Sequence, residues 1–242
     1  MGATLAIAKR DFNGFFGTAV GWISACVIFA VSGVLFYIVT SQLLDRGQAV
    51  DPVSEILSNI YGFMNYISIF IVPVFTMRIM SEELGNGTYR LQASAPISSW
   101  SIVLGKFLGV MFFFGVLGVL MLIYPLYVSL FANPDYRVMF SGWVGLMLNM
   151  AAIVSIGMFI GSLTKNVVIS YLGAAFFIIL FLFSSFFPFA PEWYKRSVNL
   201  LELGNEFTRG MIKTSSLAIY LAIIGLFLFL SRLVLETKRW RV

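Results

Sequence analysis

Six long uncharged runs constrain this chain more than any other feature. They extend from Phe12 to Leu44, Ile56 to Met77, Phe107 to Pro134, Val138 to Thr164, Asn166 to Pro191 and Thr214 to Ser231. An α-helix rises 1.5 Å per residue, so about 20 apolar residues cross the ~30 Å hydrocarbon layer. Each run therefore predicts one transmembrane helix, with spans at roughly 19–41, 56–77, 103–131, 140–163, 167–188 and 214–232. The first run is too long for one span. Leu5, Phe12 and Phe16 recur near helical spacing beside Lys9, Arg10 and Asp11, which predicts an amphipathic N-terminal helix in the cytoplasmic interface, with the span beginning near Ala19.

Composition supports the same class. Only 11% of the 242 residues are charged and 60% are apolar, too little polar surface to cover a soluble domain. The expected fold is an all-α integral membrane protein, a single domain over 1–242, because the gaps between spans are too short for a folded soluble unit. There is no histidine, which excludes His-based triads and His-ligated zinc or haem. The single cysteine, Cys26, allows no internal disulfide. The net charge of +5 reflects membrane topology rather than nucleic-acid binding, since the basic residues flank the apolar runs. With the N-terminus inside, the inner segments hold ten Lys and Arg residues against six outside, so both termini are expected in the cytoplasm.

Little in the spans suggests chemistry. Charges lie outside the expected spans or at their ends, which argues against an ion-coupled transporter. Gly105-Lys106 is followed by Phe107 where a phosphate loop needs Ser or Thr, and Gly85-Asn86-Gly87 meets Arg90 where a dinucleotide loop needs glycine. Asn59, Asn65 and Asn149 either line a pathway or form interhelical hydrogen bonds. Gly17/Gly21, Gly105/Gly109 and Gly157/Gly161 permit close helix approach, and Pro73 and Pro125 are expected to bend the second and third spans. Met77/Met80 and Met147/Met150 leave a copper-related role as a minor alternative. The external stretch 192–213 is expected to form two short surface helices that turn at Gly204.

The most informative segment runs from Met77 to Lys106. Arg78 stands one turn before Glu82, Glu83 follows, glycines interrupt at 85 and 87, and Pro96 stops any helix, so a short amphipathic cytoplasmic helix is expected. Glu82-Glu83, Gly87-Thr88, Leu91, Pro96-Ile97-Ser98 and Gly105-Lys106 together resemble the first cytoplasmic loop of ABC-2-type permeases. Thr76-Met77-Arg78 and Trp100 resemble the gliding-motility permease subgroup (GldF-like) most closely. Asn205-Glu206-Phe207-Thr208-Arg209-Gly210 and Lys238-Arg239-Trp240 are similar to two further family elements, although Glu206 replaces a histidine common in the family.

The resemblance implies the permease subunit of an ATP-binding cassette exporter in the bacterial inner membrane. It implies a second permease copy or a related permease chain, and two separate nucleotide-binding subunits that carry the ATP and Mg. Glu82, Glu83, Gly87, Thr88, Leu91 and Pro96 would meet those subunits, and periplasmic accessory proteins could join the assembly. No catalytic residue, cofactor or metal is expected on this chain itself. The alternative from another class is a membrane anchor that passes ATPase force to envelope proteins without transport.

Overall fold

The computed structural model describes residues 2–46, 52–94, 97–129, 135–182 and 199–239, and all regular structure among them is helical. Helix α1 (Gly2–Phe16) leads into α2 (Ala19–Arg46). Helix α3 (Pro52–Met77) is prolonged by a π turn (Arg78–Glu82) and the single turn α4 (Glu83–Gly85). After α5 (Thr88–Ser94) come α6 (Ser99–Leu120), α7 (Ile123–Val128), α8 (Tyr136–Leu163) and α9 (Val167–Leu182). The described chain closes with α10 (Leu200–Thr208) and α11 (Thr214–Arg239).

Five stretches among the described residues are long and apolar enough to cross a bilayer: Ala19–Leu43, Ser54–Gly85, Ser99–Val128, Tyr136–Leu163 and Thr214–Arg239. The sixth expected span, 167–188, is helical over the 16 residues of α9, and its remainder lies outside the described residues. The second span differs from expectation at its inner end. It does not stop at Met77 but continues as one 32-residue stretch to Gly85, carrying Glu82 and Glu83 on its own extension. The short helix expected between the second and third spans is α5 alone.

Helix α8 is the centre of the bundle, with α3, α6, α9, α10 and α11 all packed against it. Its apolar stretch is 78% buried, against 22% for α2 and for α11. Small residues make this enclosure possible. An added Cβ at Gly142 would lie 2.4 Å from the Tyr61 ring, at Gly145 2.4 Å from Phe207 Cβ, and at Gly157 2.3 Å from Thr76 Oγ1. Lipid tails are as apolar as the helices, so close backbone approach and dispersion, rather than water exclusion, hold such a contact.

Gly105 and Gly109 face α1. A Cβ at Gly105 would meet Ile7 Cβ at 2.8 Å and the Thr4 carbonyl at 2.9 Å, while one at Gly109 would meet Asp11 Cβ at 3.0 Å. Helix α1 buries Ala8, Asp11 and Phe15 on this side and leaves Leu5 exposed, as an amphipathic interfacial helix should. Gly161 takes Met80 of the π turn, and the Gly21 backbone closes on the Phe15 carbonyl at the α1–α2 corner. All three glycine pairs thus serve packing within the chain.

Pro125 acts as expected. Without an N–H to offer one turn back, it leaves Met121 O to accept from Tyr124 N at 3.3 Å, and the span breaks at 121–122. Pro73 sits inside α3, whose helical run is uninterrupted. The two methionine pairs do not converge: Met80 reaches Gly161 near the end of α8, whereas Met147, from the middle of α8, reaches Gly118 of α6. Both fill gaps beside glycine.

Gly204 corrects the expected turn. Helix α10 runs through it unbroken, because Leu200, Leu203 and Phe207 are all buried by the neighbouring spans. Gly204 is instead where the helix backbone meets Asn65, whose Nδ2 would lie 2.9 Å from an added Cβ. The helix therefore dips into the bundle rather than lying along its surface. Residues 192–198 of that stretch lie outside the described residues.

The glycine contact with α1 makes a direct prediction. Gly105→Val should force α1 away from α6 and destabilise the detergent-solubilised protein by about 1–3 kcal/mol, seen as a lowered melting temperature. Gly115→Val, where an added Cβ meets nothing within 4 Å, should leave the melting temperature near wild type.

Candidate functional site

Helix α1, the C-terminal end of the second span and the first turns of α6 meet around one buried charge. Lys106 lies within the α6 span, and its side chain is 1% exposed. Charges are expected outside the spans or at their ends, and Lys106 stands near the start of this stretch but is buried there. An ammonium removed from water needs partners on all its donors, and three elements supply acceptors. Lys106 Nζ donates to Glu83 Oε2 at 2.5 Å and to the Ile79 carbonyl at 2.7 Å, with Asp11 Oδ2 at 4.0 Å.

The π turn explains why the Ile79 carbonyl is available. In a regular α-helix it would accept from the Glu83 N–H, but that N–H bonds to Met80 O instead. Arg10 completes the cluster, donating to Asp11 Oδ1 at 2.7 Å and to Glu83 Oε1 at 2.7 Å. Burial opposes the charge on Arg10, but the adjoining carboxylates of Asp11 and Glu83 outweigh it and raise its pKa. Two cations and two carboxylates thus form a neutral group that fastens α1 and α6 to the end of the second span.

Glu83 also holds α5. Gln92 Nε2 donates to Glu83 Oε2 at 2.9 Å, and Thr88 Oγ1 donates to the Glu83 carbonyl at 3.2 Å. Gly87, at φ +75°, makes the turn between α4 and α5. Tyr89 then pins α5 to the last span, its hydroxyl donating to Leu235 O at 2.9 Å. The two neighbouring acids therefore sit in different surroundings. Glu83 is taken up by internal partners, whereas Glu82 is 45% exposed and meets only Arg78, at 3.6 Å and one turn away.

Of the other residues singled out in the sequence, Thr88 lies on the surface beside Glu82, Gly87 is half-buried at the turn, and Leu91 belongs to α5. Pro96 lies outside the described residues. Asn65 and Asn149 meet each other in the core: Asn149 Nδ2 donates to Asn65 Oδ1 at 3.0 Å and to Ser68 Oγ at 3.3 Å. Asn59 stands apart on an exposed face, bonded to the Glu55 carbonyl of its own helix.

Sequence reading passed over Arg10, Asp11 and Lys106 as members of this cluster. One signal was available: Asp11 shares a helix face with Ala8 and Phe15, an acid on the apolar side of an amphipathic helix. At the opposite end of the bundle Glu206 joins Lys213 and Ser216, bonding the hydroxyl at 2.5 Å. Burial would raise its pKa, but these hydrogen bonds and the Lys213 charge prevail and lower it below the usual carboxylate value. This pair ties α10 to the start of α11.

Residues 3–201 match the family model described as ABC-2 type transporter. No curated protein matches the chain.

Two outcomes follow from these charge clusters. Glu83→Gln should leave Lys106 buried beside a neutral partner and lower stability by roughly 3 kcal/mol, while Glu82→Ala should change it by less than about 1 kcal/mol. Adding Lys106→Met to Glu83→Gln should recover much of the loss, and thermal melts of wild type, Glu83→Gln, Lys106→Met and their combination form the cycle that checks it. Glu206 has a lowered native pKa, so its contribution is present above the unfolded value and lost as pH falls through the native one. Melting temperature should therefore drop more steeply below about pH 4.5 in wild type than in Glu206→Gln.

Proposed function

The chain belongs to the ABC-2 type transporter family, and from that premise we propose that it is the membrane subunit of a bacterial exporter whose α3–α5 turn receives the ATPase stroke. Membrane subunits of this family work with ATP-binding subunits and are not themselves catalytic. The chain is thus a multi-pass permease subunit of an ABC transporter. In the finer reading it sits in the inner membrane with both termini in the cytoplasm, pairs with a second permease chain, and engages two nucleotide-binding subunits that hold ATP and Mg. Likeness to the gliding-motility permeases belongs to this finer reading, as do accessory proteins in the periplasm.

One observation carries the proposal. The turn that presents Glu82, Gly87 and Thr88 at the surface is clamped on its inner side through Glu83 to Lys106 and Arg10, and through Tyr89 to Leu235. A force applied to the turn therefore reaches α1, α6 and α11 without passing through a flexible linker. The charge count supports the orientation, and the basic residues of the expected inner segments gather at this end: Arg10, Arg78, Arg90, Lys106, Lys165 and Lys238. The buried Asn65–Asn149 bond supports passage along the surface shared by two copies, because these side chains are spent within one bundle.

The test replaces only the outward groups. Glu82→Ala with Thr88→Ser, which keeps the hydroxyl that donates to the Glu83 carbonyl, should leave membrane insertion and melting temperature unchanged, yet weaken co-purification of the ATPase subunit by roughly five-fold and uncouple ATP hydrolysis from transport. Undiminished co-purification with undiminished transport would overturn the assignment of this turn.

A further inference from the structure

On the far side of the same turn lies a recess of about 480 Å³, lined by Asn86, Gly87, Tyr89, Arg90, Lys165 and Lys238 among others. Three of its lining residues are cations and none is an acid. The nearby carboxylates are committed elsewhere: Glu82 to Arg78, Glu83 to Lys106 and Arg10, and Glu236 to Arg232. Among the described residues no carboxylate pairs with Arg90, Lys165 or Lys238. The walls are nonetheless built firmly. Lys238 Nζ donates to the Ser162 carbonyl at 2.5 Å, and the Lys165 backbone lies so close to Gly85 that an added Cβ would meet its carbonyl at 2.9 Å.

Depth and surroundings identify the anion. Lys165 follows the end of α8 by two residues and Lys238 precedes the end of α11 by one, so both stand where the spans leave the hydrocarbon. Beyond Lys165, helix α9 exposes Val168, Ile169 and Leu172 at 64%, 59% and 60%. Their spacing places them on one face. Cations at headgroup depth above a bare apolar strip match a molecule with a phosphate at one end and acyl chains at the other.

We propose that this recess binds the phosphate of an anionic phospholipid, held by Arg90, Lys165 and Lys238, with its chains along the Val168–Leu172 face of α9. The site depends on the placement of the helices in the membrane and not on the ATPase-coupling reading. It joins lipid to the turn that α5 completes, so lipid charge would brace Arg90 and the Gly87 corner.

Native mass spectrometry of the full chain, purified in detergent and supplied with phosphatidylglycerol or phosphatidylcholine, tests it. Phosphatidylglycerol should be retained as a discrete adduct and raise the melting temperature, and phosphatidylcholine should do neither. Arg90→Gln with Lys165→Gln should weaken that retention roughly thirty-fold while melting without lipid stays at the wild-type value, because neither side chain holds the fold together. Arg137→Gln, which removes an exposed cation at the other end of the bundle, should retain the adduct. Equal retention of the two lipids, an undiminished adduct in the double variant, or full stabilisation by inorganic phosphate alone would overturn the proposal. So would loss of ATPase co-purification in the double variant with lipid retention intact, since that result assigns the recess to a protein partner. If the outward variants of Glu82 and Thr88 leave ATPase binding unchanged while the lipid adduct behaves as expected, the coupling reading fails and this one stands.

Discussion

Lys106 is the charge around which one end of this bundle is arranged. A lone ammonium inside a membrane span costs several kcal/mol, and the side chain cannot reach water here. Each remedy comes from a different part of the chain: a carboxylate from α4, a carbonyl freed by the π turn, and a second carboxylate from α1. A regular helix through Arg78–Glu82 would return the Ile79 carbonyl to its own backbone. The π turn and the buried lysine therefore explain each other, and the continuation of the second span to Gly85 follows, because Glu83 must reach Lys106 while still on that helix.

Away from this charge the bundle depends on steric fit. Helix α8 can be surrounded by five others because glycine recurs where aromatic or branched side chains press against it. Polar residues at this level act as fasteners. Asn149 bonds Asn65 and Ser68 across helices, Ser141 Oγ donates to the Phe207 carbonyl at 2.8 Å, and Tyr220 donates to the Leu200 carbonyl at 3.0 Å. The last two bonds hold α10 by its backbone, and Asn199 Oδ1 accepts from the Glu202 N–H at its start, which lets a short helix dip among the spans. A backbone group left unpaired at that depth would cost far more than one facing water.

What the sequence disclosed and what it hid divide along this line. Hydropathy located the spans because the bilayer acts on each segment separately, and Pro125 announced its break because its effect is local. Lys106 and Asp11 were hidden because a charge beside an apolar run reads as the run's boundary, and only a partner from a distant helix changes that meaning. Gly204 misled for a related reason. Glycine weakens a helix by about 1 kcal/mol, a preference that burial of Leu200, Leu203 and Phe207 overrides. Glu82 and Glu83 look equivalent in one dimension, yet one residue of rotation on a helix turns the first outward and the second into the cluster.

That rotation gives the α3–α5 turn two faces of different electrical character. Its inner face is neutral, with two cations paired with two acids, and it fixes the geometry of the turn. The recess on its far side, beyond Gly87, is positive, with Arg90, Lys165 and Lys238 and no acid among its lining residues. The neutral face cannot respond to a ligand without exposing a buried charge, so it behaves as a rigid strut. The positive face is incomplete by itself, and any anion seated there is linked to Glu83 through the short helix that carries both Arg90 and Gln92. Mechanical stiffness and ligand sensitivity are thus built into opposite sides of one turn, through the placement of two adjacent glutamates and a glycine.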